Sequence, residues 1–487
     1  MLFNSLQFLA FFPVVTAAYF ALPHRFRVYL LLLASCLFYM AAIPAYILIL
    51  FAIILIDYGA AFQIAESTGR QRRAWLTISI CANVGLLAIF KYFNFANHNL
   101  AHLARWLDWR YPIHDLRLLL PLGLSFHTFQ AMSYTIEVYR GRQSPERSLP
   151  HYALYVLFYP QLVAGPIERP QNLLHQFRER HEFNYERVVN GLKLMAWGMF
   201  KKVGIADQLA VIASPIFTHP ANFDGGACLL AAMAFGIQIY CDFSGYSDIA
   251  IGAAEVMGFR LMRNFRQPYL AQSIGEFWKR WHISLSTWFR DYLYVPLGGN
   301  RVSFARLCAN VFLVFLISGL WHGANWTFVI WGMLHGSYRI LELAAERWRI
   351  EPLRWLGSLT YPALATGIRR AWVFLLVSLT WIFFRAPDVS SATLMLRQIS
   401  RPWFTGAGVR SIWTASPLFG LTAWTMGLIG LALAVLFGVD LAQNRGPIGP
   451  RVAAQPFWLR WGLYYGLLCG LLVLGVFKKN TFIYFQF

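Results

Sequence analysis

Apolar stretches long enough to cross a lipid bilayer recur along almost the whole chain. They lie at 6–22, 28–42, 45–65, 74–93, 117–138, 188–212, 227–250, 307–321, 324–342, 370–386, 416–439 and 459–477. A transmembrane helix needs about 20 predominantly apolar residues, so the sequence predicts an all-α polytopic integral membrane protein with about 11 to 13 transmembrane or re-entrant helices. No linker or internal repeat divides the chain, which predicts a single membrane-embedded domain over residues 1–487.

The charge distribution indicates membrane topology rather than nucleic-acid binding. Only 13% of the residues are charged, and the 42 lysines and arginines outnumber the 22 acidic residues. The basic residues fall in alternate short loops, for example at Arg25 and Arg27, at 70–73 and at 140–147. The positive-inside rule places these loops in the cytoplasm and the N-terminus outside. We therefore expect anionic lipid or an anionic substrate as partners, and no nucleic acid.

Neither a cleaved leader nor a metal centre is predicted. No basic residue precedes Leu6 and no small-residue cleavage pattern follows Leu22, so the first apolar stretch is interpreted as a retained helix. The six cysteines lie within or beside apolar segments and form no C-x-x-C pair. This pattern indicates buried thiols rather than a disulfide framework or a zinc site.

Three regions interrupt the helical pattern. Residues 159–170 contain three prolines and predict a re-entrant turn that faces the cytoplasm. Residues 260–306 are basic and aromatic, and residues 386–416 are interpreted as a polar connection. In addition, residues 94–115 are interpreted as a loop between two helices.

The second of these regions predicts a charged helix. Ser273 and Glu276 have the S-x-x-E spacing of a capping box, and an aromatic helical pattern runs from Ile274 to about Tyr294. Its charged residues are Lys279, Arg280, Arg290 and Asp291. A helix so charged is expected to lie in the interface or dip into the protein rather than span lipid. One face of a continuous helix would carry Trp278, His282, Ser286 and Phe289.

His322 is an imidazole inside the apolar run 311–331. Ionisable residues in membrane segments are costly and tend to line a site or a pathway. Asn325 is expected on the same helical face, where it can orient the ring or donate to a developing oxyanion. Gly319 and Gly323 have small-x-x-x-small spacing, which predicts close helix approach, either for packing alone or beside a narrow channel.

His282 and His322 are 40 residues apart and can face one cavity, with Trp321 and Trp326 as its walls. An uncharged histidine can remove a proton from a hydroxyl group that attacks a thioester, and can return it to the leaving thiolate. That chemistry is acyl transfer. Haem ligation by both histidines and proton-coupled transport are alternatives from other classes. The charged segment at His282 argues against the first, and the lack of two related halves argues against the second.

A further polar group lies in residues 238–248, which include Asp242 and Ser244. Carboxylates in such a segment are not left facing lipid. We expect them to bond to tryptophan, tyrosine or arginine side chains of the region 260–306 in a structural role, with a catalytic role as the alternative. A Ser-His-Asp hydrolase that uses Ser244 lacks the G-x-S-x-G elbow around the nucleophile.

Ordered sequence blocks make the chain resemble a known family. They are PLGLSFHTFQAMSYTIEVYRG (121–141), FYPQLVAGPIERP (158–170), QIYCDFSGYSDIAIG (238–252), RWHISLSTWFRDYLYVPLGGNR (280–301), SGLWHGANWTFVIWGMLHG (318–336), WIFFRA (381–386) and FIYFQF (482–487). They closely resemble the bacterial branch of the membrane-bound O-acyltransferase family, and within it the alginate O-acetyltransferase type. The teichoic-acid D-alanyl transfer protein and peptidoglycan O-acetyltransferase are related members of this family. The core motifs lie at 121–170 and 238–336.

The resemblance implies a helical bundle around a tunnel, in a multi-pass protein of the bacterial cytoplasmic (inner) membrane. It implies catalysis by His322, which matches the family's near-invariant histidine, with support from His282 at the second position. Asp242, Ser244 and Asn325 match motif positions to which the resemblance assigns no role.

The resemblance also implies a reaction across the membrane without a bound cofactor. An acetyl group would pass from a cytoplasmic thioester, acetyl-coenzyme A or a phosphopantetheine-linked one, to an extracytoplasmic acceptor. A periplasmic or membrane-anchored acetyltransferase partner would complete the transfer onto an exopolysaccharide, with peptidoglycan or teichoic acid as alternative acceptors.

Basic residues around the predicted charged helix suit the phosphates of such a donor, although inside-positive loops explain them equally. They are Arg260, Arg263, Arg266, Lys279 and Arg280.

The terminal block FIYFQF resembles tyrosine motifs at the termini of related D-alanylation systems. This resemblance implies that Tyr484 docks in the tunnel and carries the acyl group transiently. Hydrophobic anchoring of the tail is the alternative interpretation.

Overall fold

The computed structural model describes residues 1–41, 43–162, 165–350, 362–401, 422–476 and 482–483. Within these ranges the regular structure is helical, without strands. The helices are α1 (Leu6–Ala21), α2 (His24–Met40), α3 (Ile47–Glu66), α4 (Gly69–Leu87), α5 (Phe93–Trp106), α6 (Leu124–Tyr139), α7 (Leu149–Leu157), α8 (Pro170–Leu173), α9 (Tyr185–Met199), α10 (Asp207–Thr218), α11 (Gly225–Met257), α12 (Ile274–Arg280), α13 (Ile283–Phe289), α14 (Phe304–His322), α15 (Trp326–Trp348), α16 (Pro362–Arg385), α17 (Val389–Ser400), α18 (Ala423–Asn444), α19 (Ile448–Ala453) and α20 (Phe457–Leu474).

Seven helical runs in the described ranges are long and apolar enough to cross a membrane. They are Pro44–Glu66, Gly69–Trp106, Gly225–Met257, Phe304–His322, Pro362–Arg385, Ala423–Asn444 and Phe457–Leu474. A helix pairs its backbone N–H and C=O groups internally, whereas lipid offers these groups no hydrogen-bond partners. The prediction of an all-α, multi-pass membrane protein is confirmed.

The chain divides into two compact units. Unit 1 comprises Met1–Met195 and Tyr246–Met262, and unit 2 comprises Ala196–Gly245 and Arg263–Phe487. Both histidines of the predicted site lie in unit 2, whereas Arg260 lies in unit 1. The single domain over residues 1–487 stays a prediction.

A buried polar network joins three helices of unit 1. The Asp57 carboxylate of α3 accepts hydrogen bonds from the Ser79 hydroxyl of α4 at 2.6 Å and from the Asn83 amide at 2.9 Å. The Ser79 Oγ also lies 2.9 Å from the Thr135 Oγ1 of α6. All four side chains are buried, so the network supplies polar partners that lipid would deny to the carboxylate.

Two connections predicted as irregular contain helices. The 94–115 loop prediction is wrong because α5 occupies its first half, and Asn97 of α5 donates to Asp115 at 2.8 Å. Asn97 is one of the polar residues that make this segment resemble a loop in sequence, and in the folded protein the contact with Asp115 provides its side chain with a partner. In 386–416, α17 begins at a cap in which Asp388 accepts from the Ser391 N–H at 2.7 Å, and residues 402–421 lie outside the described ranges.

The proline-rich turn at 159–170 is non-helical in its described part up to Arg169, α8 begins at Pro170, and a buried glutamate of unit 1 fixes the turn. The Glu168 side chain is fully buried and accepts from the Met262 N–H at 2.5 Å and from Asn172 at 3.5 Å. Burial raises the pKa of this carboxyl to about 7 from its usual 4.5. The folded protein therefore binds the Glu168 proton more tightly than the unfolded chain does.

Glu168→Gln is expected to remove part of the pH dependence of stability. Because the folded pKa lies above the unfolded value, protonated Glu168 contributes stability that is fully present below pH 4.5 and is lost as the pH rises through about 7. Thermal unfolding in detergent should show the wild-type melting temperature falling over this window relative to that of Glu168→Gln. Parallel curves would contradict the assignment. Glu179→Gln, at a side chain 56% exposed, is the matched control and should leave the curve unchanged.

Candidate active site

His282 lies at a break in the predicted charged helix. The start of that helix is confirmed, since the Ser273 side chain accepts from the Glu276 N–H at 3.1 Å, although the Glu276 carboxylate accepts from Gln272 rather than from Ser273. The prediction of one helix to about Tyr294 is wrong. α12 ends at Arg280, α13 begins at Ile283, and His282 between them has φ 43° and ψ 55°.

Asn264, which lies in the basic segment before α12, stabilises this break by hydrogen bonds. Its carbonyl accepts from the Ile283 N–H at 2.9 Å, and its side chain accepts from the Ser284 hydroxyl at 2.6 Å. The left-handed conformation costs a non-glycine residue about 1–2 kcal/mol, so these bonds stabilise a strained residue. The predicted common face of Trp278, His282, Ser286 and Phe289 is wrong because the helix does not continue through His282.

The His282 imidazole is buried among aromatic rings. The Phe243 ring of α11 lies 4.7 Å from it in an edge-to-face arrangement, and the Trp321 ring lies 6.3 Å away. Burial lowers the pKa of His282 to about 3. The ring is therefore uncharged at neutral pH.

His322 is the last residue of α14. Its ring lies 4.9 Å from Trp321, 5.0 Å from Trp331 and 5.2 Å from Phe384, and the residue is buried. The helix ends here and a new one starts after Asn325, which caps α15 by accepting from the Thr327 N–H at 3.0 Å. The prediction that Asn325 shares a helical face with His322 is wrong. The Asn325 amide donates to the Pro387 carbonyl at 2.8 Å.

Trp321 brings the two histidines together. The centroid of its ring lies 6.3 Å from that of His282 and 4.9 Å from that of His322. Its place in the wall of a shared site stays a prediction. The other predicted wall residue, Trp326, is 53% exposed. Trp331 and Phe384, which the sequence interpretation did not select, line His322 instead.

The glycines near His322 serve close packing of α14 on α15. A Cβ at Gly319 would lie 2.3 Å from the Phe328 carbonyl oxygen, and one at Gly332 would lie 2.4 Å from the Phe315 carbonyl oxygen. A Cβ at Gly323 would meet the Phe328 ring at 2.1 Å. The predicted close approach of helices is confirmed, and packing alone explains these glycines.

A buried charge cluster includes Asp242, whose neighbour Phe243 contacts His282. Lys202, in a π-helical segment at Phe200–Ala206, pairs with Asp242 at 2.5 Å and with Asp207 at 3.0 Å. Lys201 donates to the Ser244 hydroxyl at 2.9 Å. The prediction that Asp242 bonds to side chains of the region 260–306 is therefore wrong, because Asp242 pairs with Lys202. In the sequence, two consecutive lysines inside the apolar stretch 188–212 were the signal that could have indicated this buried charge cluster.

The chain terminus reaches the same aspartate. The Ile483 N–H donates to Asp242 Oδ2 at 2.8 Å, and the Phe482 ring lies 5.6 Å from Phe243. Phe482 and Ile483 are both buried. Tyr484, the predicted acyl carrier, lies outside the described residues.

His335 is a third buried histidine, and its hydrogen bonds indicate a structural role. The Trp278 indole N–H, which can only donate, lies 3.3 Å from Nδ1, so Nδ1 is the acceptor of the pair. The Nε2 atom then carries the proton and donates to Thr380 Oγ1 at 2.9 Å, while that hydroxyl donates to the Val377 carbonyl. Both ring nitrogens are thus used within the core.

Four of the five predicted donor-binding cations lie at the surface. Arg260, Arg263, Arg266 and Lys279 are exposed. Arg280 pairs with Glu276 at 2.6 Å and donates to Asn444 at 3.0 Å. In the described part of the chain, no three His, Cys, Asp or Glu side chains lie close enough together to hold a metal ion.

Comparison with known proteins gives one family. The model of the membrane-bound O-acyltransferase family matches residues 142–386, which contain both histidines, Asp242 and Ser244.

Curated relatives extend the similarity to nearly the full length. A "probable alginate O-acetylase" of Pseudomonas aeruginosa is 38% identical over 93% of this chain and 85% of its own length. The peptidoglycan O-acetyltransferase of Helicobacter pylori is 37% identical over 82% of this chain and 79% of its own length. The teichoic acid D-alanyltransferase of Bacillus subtilis is 26% identical over 58% of this chain and 70% of its own length.

Proposed function

Because this chain belongs to the membrane-bound O-acyltransferase family, we propose that it moves an acetyl group from a cytoplasmic thioester across the membrane for O-acetylation of an extracytoplasmic polysaccharide. The chain is a multi-pass membrane O-acetyltransferase. We propose the direction of transfer, the identities of the donor and the acceptor, and the roles of individual residues.

The contact of Trp321 with both His282 and His322 carries the assignment of the site. Two buried imidazoles lie next to the same indole ring, among aromatic side chains. Such a wall excludes water, which favours acyl transfer to a hydroxyl over hydrolysis.

His322 is proposed as the general base. One ring nitrogen takes the proton of the acceptor hydroxyl as that oxygen attacks the thioester carbonyl carbon. The tetrahedral intermediate then collapses with formation of the ester and cleavage of the C–S bond, and the imidazolium returns the proton to the leaving thiolate. The reaction balances in atoms and charge without an oxidant, a metal ion or a further reactant.

His282 is proposed as a hydrogen-bond donor to the carbonyl oxygen. Burial keeps the ring neutral, so one nitrogen carries a proton at physiological pH. A neutral donor fixed by packing stabilises the developing oxyanion without reorganisation. The strained backbone at His282, held by Asn264, supports this reading because strained residues collect at functional sites.

The donor is proposed to be acetyl-coenzyme A or a phosphopantetheine-linked thioester. The exposed cations Arg263, Arg266 and Lys279 of unit 2 suit its phosphates, and the positive-inside rule predicts that they lie on the cytoplasmic side. Asn325 and Ser244 support the site by fixing local structure, Asn325 as a helix cap and Ser244 as the acceptor from Lys201.

The acceptor is proposed to be an exopolysaccharide of the alginate class, because relatives named for alginate O-acetylation match nearly the whole chain. A periplasmic or membrane-anchored acetyltransferase partner would complete the transfer, with Tyr484 as a transient carrier within a tunnel. The relative from Helicobacter pylori makes peptidoglycan the second candidate acceptor. The proposed location is the bacterial inner membrane.

Thioester cleavage in oriented membrane vesicles tests this function. Inside-out vesicles supplied with labelled acetyl-coenzyme A, or with an acetyl-phosphopantetheine thioester, should release free thiol and place label on enclosed deacetylated alginate in the presence of its partner. Sealed right-side-out vesicles should release thiol only after permeabilisation. Vesicles without the protein are the control. Failure of both thioesters in both orientations, with alginate and with peptidoglycan fragments, would rule out the proposal.

A further inference from the structure

The buried cluster around Lys202 holds the chain terminus. The ammonium of Lys202 lies between the carboxylates of Asp207 and Asp242, and the two aspartates and the lysine are at most 5% exposed. Asp242 presents its two oxygens to different partners. Oδ1 pairs with Lys202, and Oδ2 accepts from the backbone N–H of Ile483.

The same part of unit 2 binds the chain just after α20. Gln208 of α10 donates to the Leu474 carbonyl at 2.7 Å, and the Val476 N–H donates to the Val203 carbonyl at 3.2 Å. Val203 is the residue after Lys202 and belongs to the same π-helical segment. The contact at Ile483 is therefore a further attachment of the C-terminal region to this segment and its ion partners.

The terminal attachment continues into the active site. Phe482 lies 5.6 Å from Phe243, and Phe243 lies 4.7 Å from His282. All three residues are buried, and interiors this closely packed transmit small displacements. Asp242 and Phe243 are neighbours on α11, so the aspartate binds the terminus while the adjacent ring contacts the histidine.

We propose that Asp242 is a positioning residue that anchors residues 482–483 and thereby holds Phe243 and His282 in their catalytic arrangement. This inference rests on the proposed function of His282. It gives the Lys202 cluster a role in the reaction, because the ammonium fixes the carboxylate that binds the terminus. It is independent of the carrier role proposed for Tyr484.

Asp242→Asn should release the terminus. An asparagine side chain offers one acceptor oxygen where the carboxylate offers two. The Lys202 ammonium is the stronger donor and takes that oxygen, so the amide NH₂ group faces the Ile483 N–H and cannot bind it. Loss of a charge-assisted hydrogen bond of about 1.5–3 kcal/mol predicts an increase of about tenfold or more in the exposure of the terminus.

Carboxypeptidase digestion of the full-length protein in detergent measures this release without any need for catalysis. Intact mass should show that trimming of the wild-type chain removes Ile483 only slowly. In Asp242→Asn it should continue past Ile483 at about ten times the wild-type rate. Asp207→Asn is the matched control, because it removes the other carboxylate on the same ammonium and leaves the Asp242 to Ile483 bond in place.

Steady-state thiol release measures the positioning of His282. In Asp242→Asn we expect kcat to fall by about 10- to 100-fold with KM within about twofold of wild type, since a misplaced catalytic group impairs the chemical step rather than binding. Phe482→Leu keeps the backbone bond and removes the ring contact, so its kcat should fall about tenfold while trimming stays near the wild-type rate. This second variant does not depend on how the charge cluster tolerates a change at Asp242.

Two results would overturn the inference. Equal trimming of Asp242→Asn and Asp207→Asn would show that Asp242 does not anchor the terminus. Faster trimming of Asp242→Asn, with kcat unchanged both there and in Phe482→Leu, would show an anchor that does not position His282. If wild-type protein released no thiol, the proposed function would fail, and the trimming comparison would still decide whether the anchor exists.

Discussion

His322→Ala is expected to reduce acetyl transfer by about 10²- to 10⁴-fold, the range over which general base catalysis contributes to enzymatic rates. Alanine cannot take the proton of the attacking hydroxyl. The loss should therefore lie in kcat, with a smaller change in KM. Thiol release from labelled acetyl-coenzyme A in inside-out vesicles measures both constants.

His335→Gln separates this loss from the general effect of removing a buried imidazole. His335 is also buried on α15, and both of its nitrogens bond within the core. Its replacement should lower thermal stability while changing kcat by less than about tenfold. Full transfer by His322→Ala would remove His322 from the mechanism, and equal losses in both variants would indicate a structural role for both histidines.

Lys202→Met is expected to lower the free energy of unfolding by about 3–5 kcal/mol, because it leaves Asp207 and Asp242 buried without their shared ammonium. Removal of one partner from a buried ion cluster costs far more than replacement of the whole cluster by neutral groups. Denaturant titration in detergent, followed by tryptophan fluorescence, measures the change.

Two further variants test the cause of this loss. The triple variant Lys202→Met, Asp207→Asn and Asp242→Asn removes all three charges and should recover much of the stability that Lys202→Met loses. Arg70→Met, at an exposed position of α4, should change stability by less than about 0.5 kcal/mol. A triple variant as unstable as Lys202→Met would show that the lysine acts through packing rather than through charge.

Local sequence patterns predicted the helices well. Every predicted apolar stretch overlaps an observed helix, and the Ser273 cap marks the start of α12 as expected. These features depend on residues three or four positions apart, where hydrophobic periodicity and side-chain caps act. The same reasoning failed at α5, whose polar residues are bound by a segment further along the chain.

The break at His282 could not be predicted from local pattern. The aromatic spacing continues from α12 into α13 as though one helix ran through both. The break depends on Asn264, which bonds to Ile283 and Ser284 from a segment about twenty residues earlier. Tertiary hydrogen bonds of this kind override helix propensity, which is worth less than about 1 kcal/mol per residue.

The sequence by itself determined the membrane setting, the helices and the two candidate histidines, and its ordered blocks indicated the family. Spanning length and motif order are local or linear properties, so one chain read from end to end contains them. The tertiary structure decided which groups meet: Trp321 lies next to both His282 and His322, Lys202 pairs with two aspartates, and Ile483 bonds to Asp242. Asp242 and Ile483 are separated by 241 positions, and no periodicity in the chain relates such distant residues. Their contact arises only when buried charges and backbone groups find partners in the folded protein.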